Sequence, residues 1–160
     1  MKEKIFIEGG KKLSGSIPIS GAKNSCLTLM PLSILSCHGL SLKNSPFLSD
    51  VDTMKALLES LGCQVVYEKP KKQINLKMLE EGLFLADYNI VKKMRASVLV
   101  LGPLLARFGR GVVALPGGCA IGARPVDLHL MALEALGGQF IIENGYIKGK
   151  VNGTLNGAKI

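Results

Sequence analysis

The chain has 160 residues, 48% hydrophobic and 20% charged, with 20 Lys and Arg against 12 Asp and Glu for a formal net charge of +8. That length and apolar share describe one ordinary domain with a core and exclude a disordered chain, while 19 Gly without a collagen period exclude a fibrous one. The charge favours anionic partners such as phosphates or nucleotides without choosing among them, and serves equally as a solubilising surface; four Cys with no CxxC pair argue against structural zinc.

Met1–Ser20 carries acidic residues and glycines where a signal peptide needs an apolar stretch, so no leader is expected. The uncharged run Asn24–Leu42 is broken by Thr28, Pro31, His38 and several Ser, too polar for lipid. A soluble, cytoplasmic protein with no membrane partner is expected. Within that run, about Lys23–Ser36 is apolar nearly all round and reads as a helix buried on every side. A short strand follows Gly39. Asp52–Leu61 reads as a second helix, opening on an acid and stopping at Gly62. Cys63–Tyr67 and Gln73–Met78 read as strands, the latter alternating Ile74, Leu76 and Met78 with Gln73, Asn75 and Lys77.

The same order then recurs. Ser25, Leu29, Pro31 and Gly39 have counterparts 72 residues on, in Ser97, Leu101, Pro103 and Gly111. Val51-Asp52, Leu58-Glu59, Leu61-Gly62 and Gln64 recur 75 residues on, in Val126-Asp127, Leu133-Glu134, Leu136-Gly137 and Gln139. Helices over about Lys93–Arg107 and over Asp127–Leu136 belong to this second copy. A hairpin of Gln139–Ile142 and Tyr146–Val151 about an Asn144-Gly145 turn completes it. Helices inside and half-polar strands outside predict a repeated α/β fold with its usual layers reversed. Two copies cannot enclose such helices, and Val151–Ile160 reads as the start of another strand. The expectation is a piece of something longer.

The copies differ at one loop. The offset changes from 72 to 75, so three extra residues enter the second copy, within Leu115–Pro125, Leu-Pro-Gly-Gly-Cys-Ala-Ile-Gly-Ala-Arg-Pro; the first copy has only Asn44–Asp50 in the corresponding place. Its glycines let the backbone approach a ligand, and Arg124 sets a planar fork for phosphate ahead of a helix start. Cys119 at the tip, near cations on an exposed loop, reads as a reactive thiol, whereas Cys26, Cys37 and Cys63 lie in apolar runs and read as shielded. Lys23 opposes the dipole of the helix it opens and so calls for an anionic partner. Arg95 is its counterpart in the second copy, and these two with Arg124 are expected to converge on an anion; taken singly, each reads equally as a solvated charge. His129 reads as a packed or capping histidine before a general base.

Ile19-Ser-Gly-Ala-Lys-Asn-Ser25, Lys93-Met-Arg-Ala-Ser97, Gly102-Pro-Leu-Leu-Ala-Arg-Phe-Gly109 and Pro116-Gly-Gly-Cys-Ala-Ile-Gly-Ala-Arg-Pro-Val-Asp-Leu-His129 closely resemble the enolpyruvyl transferases. The cysteine loop resembles in particular those that act on UDP-N-acetylglucosamine; the shikimate-pathway sister lacks it. The resemblance runs from Ile5 to Ile160. It implies an inside-out α/β barrel, here incomplete: residues 1–20 as strands that pack with a second domain, and residues 21–160 as the first two repeat units of the catalytic-loop domain, with the third unit and the second domain absent. The implied reaction moves the enolpyruvyl group of phosphoenolpyruvate to the 3-hydroxyl of UDP-N-acetylglucosamine with release of phosphate, the first committed step of peptidoglycan synthesis. These 160 residues alone are expected not to turn over.

The resemblance also implies residue roles. Cys119 is the general acid, and the thiol that the epoxide fosfomycin alkylates; Lys23 is catalytic and, with Asn24, contacts phosphoenolpyruvate. Arg95, Arg124, Pro125, Val126, Asp127 and Leu128 contact the UDP-sugar. No metal and no organic cofactor are implied. The partners are the two substrates and the missing remainder of the enzyme. Dispersed basic residues and 5% aromatics speak against nucleic acid. A non-catalytic UDP-sugar-binding module is the alternative reading.

Overall fold

The computed structural model of the protein describes residues 4–79, 84–86, 88–91, 94–115 and 126–159. Residues 4–22 form no helix or strand, and Ile5, Phe6, Ile7, Leu13, Ile17 and Ile19 are 82–92% exposed. The first copy follows: α1 (Lys23–Leu29), a 3-10 segment (Met30–Ile34), β1 (Leu40–Leu42), α2 (Ser49–Ser60), β2 (Cys63–Glu68) and β3 (Gln73–Met78). The second is β4 (Leu85–Ala86), α3 (Tyr88–Val91), a 3-10 segment (Arg95–Val100), α4 (Leu101–Phe108), β5 (Arg110–Ala114), α5 (Asp127–Ala135), β6 (Gly138–Glu143) and β7 (Tyr146–Val151).

The sheets confirm the repeat. One has the order β1-β3-β2, the other β4-β5-β7-β6. In both, the last strand of the copy lies central and pairs antiparallel with its two companions. The short β4, parallel to β5, and α3 leave no signal in the sequence, because two and four residues are too few to display a period. The ends of α2 and α5 fall where expected: Gly62 and Gly137 stand at φ +94° and +100°, a left-handed turn that glycine adopts without strain. Asn144 and Gly145, at φ 51° and 78°, form the two-residue hairpin turn.

The long first helices need correction. Neither is one continuous α-helix, and Pro31 and Pro103 account for this. In the first copy the α-helix tightens to 3-10 at Met30–Ile34, because Pro31 has no N–H for the bond an α-helix would direct to Leu27. In the second the order reverses: the 3-10 segment comes first, and α4 starts two residues before Pro103, whose ring and missing N–H disfavour a regular α-helical turn running into it from the residues before.

One continuous apolar cluster holds both copies. Met30 and Ile34 meet Leu101, Leu104 and Leu105 in it, together with Val51, Met54, Leu57 and Leu58 of α2. The strands cover it from outside, turning Val65, Ile74, Leu76 and Ile147 inward and Gln64, Lys77 and Lys148 outward. Helices inside and strands outside is therefore the observed layering. Burial on every side is not reached: Leu29, Leu32 and Leu35 are 43%, 42% and 45% exposed, and Leu128 and Met131 of α5 are 70% and 53% exposed. Among the described residues no helix is long and apolar enough to cross a membrane.

A polar clamp joins the copies. Arg107 Nη1, at the end of α4, donates to the Ile34 carbonyl at 2.6 Å and to that of Ser36 at 3.4 Å. It thereby covers carbonyls that the end of the first copy's helical run leaves without helical donors. Arg107→Ala is expected to lower the unfolding free energy by about 1.5–3 kcal/mol, as for a charged hydrogen bond. Arg107→Lys should recover part of that loss, and urea denaturation of the three proteins measures it.

Candidate functional site

The start of α1 is fixed by a glycine. A Cβ on Gly21 would lie 2.1 Å from the Asn44 carbonyl oxygen, so only glycine lets the Gly21 N–H donate to that carbonyl at 2.9 Å. The Asn44 side-chain amide in turn donates to the Ile19 carbonyl at 3.2 Å. These bonds dock the loop after β1 onto the chain entering α1 and present Lys23 and Asn24 in the first turn. Lys23 Nζ lies 2.7 Å from Asp50 Oδ2 in the first turn of α2, the two side chains 46% and 37% exposed. The anionic partner that Lys23 calls for is thus supplied within the chain.

Asn24 faces the other way, into a cleft of ≈ 280 Å³ between the copies. Asn24, Leu27 and Thr28 of α1 form one wall, Arg95 and Leu99 of the 3-10 segment another, and His129 of α5 closes it. The repeat equivalent of Lys23 therefore shares a cleft with the residue next to Lys23. Val126 is buried and seats the start of α5, Asp127 opens that helix, and Leu128 is exposed beside it. Cys119, Arg124 and Pro125 lie outside the described residues.

His129 departs from the packed alternative of its expected role. It is exposed and lines the cleft rather than packing in the core. Nothing along the chain signals this, since Asn24, Arg95 and His129 belong to three elements that only the packing of the copies brings together. Cys37 is a second correction. The helical run stops at Ile34, so Cys37 falls in the following turn and is exposed. Cys26 and Cys63 are buried as expected, and burial pushes both thiols up, opposed in part by the Ser45 hydroxyl at Cys26 and by Ser33 and Arg107 at Cys63. Among the described residues no three His, Cys, Asp or Glu side chains converge as metal ligands.

Chemically the cleft is equipped to bind. Leu27 and Leu99 give apolar walls, while Arg95, the Asn24 amide and the His129 imidazole offer donors for a polar or anionic ligand. The Thr28 hydroxyl is already engaged with the Asn24 carbonyl.

Comparison with known proteins follows the same lines. The EPSP synthase (3-phosphoshikimate 1-carboxyvinyltransferase) family matches residues 7–160. A UDP-N-acetylglucosamine 1-carboxyvinyltransferase from Dinoroseobacter shibae is 56% identical over 156 residues, 98% of this chain and 37% of the relative. One from Acinetobacter guillouiae is 51% identical over 158 residues, 99% of this chain and 37% of that one. The chain thus spans about 37% of the length of these curated relatives. The crystal structure of the enolpyruvyl transferase NikO from Streptomyces tendae superposes with a TM-score of 0.75 at 17% identity, covering 92% of this chain and 32% of that one. EPSP synthase from Acinetobacter baumannii superposes at 0.64 and 14%, covering 89% and 33%. The fold is therefore enolpyruvyl transferase-like and incomplete, with no closed barrel among the described residues.

Gly21→Ala tests how the site is held. Its methyl would meet backbone, which cannot swing aside as a side chain can. The expected outcome is a loss of about 1–3 kcal/mol in a urea melt, as for overpacking, with any ligand of the cleft bound more weakly.

Proposed function

This chain belongs to the EPSP synthase family, and on that premise we propose that it serves the transfer of the enolpyruvyl group from phosphoenolpyruvate to the 3-hydroxyl of UDP-N-acetylglucosamine, with release of phosphate. The observation that carries the proposal is the cleft in which Asn24, Arg95 and the first turn of α5 meet. Relatives named for the UDP-sugar reaction, at 51–56% identity, and the Cys119 loop favour that acceptor over the one in the family's title.

In this reading the sugar 3-hydroxyl gives up its proton and attacks C2 of phosphoenolpyruvate while C3 gains a proton from Cys119; the tetrahedral adduct then loses a proton from C3 as the C2–O bond to phosphate breaks, which restores the double bond and releases phosphate. Lys23 and Asn24 hold phosphoenolpyruvate. Arg95 and the stretch Arg124, Pro125, Val126, Asp127 and Leu128 hold the UDP-sugar, and Arg124 also reaches phosphoenolpyruvate. Cationic side chains supply the charge stabilisation, without metal or organic cofactor. Residues 1–20 pack with a second domain, and residues 21–160 are two units of the domain bearing the loop. Such a half-site binds without turnover, and the setting is peptidoglycan synthesis in the cytoplasm.

Limited iodoacetamide alkylation with mass mapping tests the role of the loop. Cys119 is expected to react first and the exposed Cys37 next, with the buried Cys26 and Cys63 last. Cys119→Ser should remove the fast phase and leave the circular dichroism melt unchanged. Equal labelling of all four in a chain that still melts cooperatively would make Cys119 an ordinary thiol.

Binding separates the classes. The chain should take up UDP-N-acetylglucosamine with little dependence on salt. Oligonucleotide binding with a steep salt slope and no UDP-sugar uptake would favour a nucleic-acid-binding protein instead. Turnover by the purified 160 residues would overturn the half-site argument.

A further inference from the structure

Lys23 already has an anion, and it is one that a ligand can replace. Its ammonium lies 2.7 Å from Asp50 Oδ2, and both side chains keep more than a third of their surface in water. An ammonium has three donors, and a half-exposed pair of this kind is held weakly enough to exchange. The neighbouring charges on α2 are otherwise disposed: Lys55 pairs with Glu59 at 3.7 Å, and Asp52 sits one place beyond Val51 on the exposed side of the same first turn. Asn24, the residue next to Lys23, lines the cleft.

We propose that Asp50 is a positioning residue: it holds Lys23 at the start of α1 while no substrate is bound, and a bound phosphate-bearing anion takes Lys23 from it. The proposal rests on the reading of Lys23 as a phosphoenolpyruvate contact. It makes Asp50 a direct competitor of that anion. Removing the carboxylate should tighten anion binding, and only where Lys23 is present.

The test titrates the 160-residue chain, with its lysines 15N-labelled, separately with inorganic phosphate and with phosphoenolpyruvate, and follows the Lys23 Nζ resonance. Either anion should move that resonance away from its position in the free chain, where Asp50 holds it. Asp50→Asn should tighten both anions about three-fold, the scale of a half-exposed ion pair. Asp52→Asn, which removes an equal charge nearby but not from Lys23, should leave both affinities unchanged. In a Lys23→Met background the effect of Asp50→Asn should vanish. Equal effects of the two Asp variants, an Asp50 effect that survives loss of Lys23, or a Lys23 signal that neither anion moves would each overturn the proposal. If the exchange is seen but phosphoenolpyruvate binds no better than phosphate, Asp50 keeps its role and the substrate reading of Lys23 fails.

Discussion

A helical run that is apolar on every side cannot be left in water, and the architecture of this chain follows from how far two such runs cover each other. Met30 and Ile34 of the first and Leu101, Leu104 and Leu105 of the second are almost wholly buried at their junction. Each such side chain contributes about 1.5–3 kcal/mol through burial. The two sheets cover the outer flanks with their inward residues, which is why strands lie outside helices here. Arg107 belongs to the same junction: a helical run that ends against a neighbour needs a donor for its last carbonyls, and the neighbour provides it. At Leu29, Leu32 and Leu35 the described residues cover the apolar surface only in part, leaving it 42–45% exposed.

The two hairpins turn differently. The first hairpin turns through a 3-10 segment, Lys69–Lys71, and Lys72 at φ 49°, while the second needs only Asn144 and Gly145. Inside the sheets the divergence is compensated. Val65 pairs across the strands with Leu76 in the first copy, and at the same place in the second Phe140 pairs with Gly149. A Cβ on Gly149 would stand 2.7 Å from the Phe140 ring, so the ring fills the space the glycine leaves. Two medium side chains and one large with none solve the same volume problem.

Charge is arranged around the helix starts. Asp50 and Asp52 in α2 and Asp127 in α5 suit the positive end of a helix, whereas Lys23 in α1 does not, and Asp50 offsets it. Its repeat equivalent, Arg95, opens a 3-10 segment and faces the cleft. One position in the repeat has thus given one cation bound to a carboxylate and another set beside an amide and an imidazole. The charge balance along the chain does not contain that distinction.

The repeat, the helix stops at Gly62 and Gly137, the Asn-Gly hairpin and the inward alternation of the strands were all legible in the sequence, because each depends on local φ/ψ demands or on a period. The resemblance to enolpyruvyl transferases was legible too, through four motifs. Local chemistry could not say that Pro31 and Pro103 would split the helical runs in opposite order, since this depends on what each run packs against. Nor could it place Cys37 in the open, which follows from where the run stops. The pairing of Lys23 with Asp50, 27 residues apart, and the meeting of Asn24, Arg95 and His129 were decided by tertiary structure alone. Sequence fixes which side chains each element carries; only the packing of one copy against the other determines which of them face the same space.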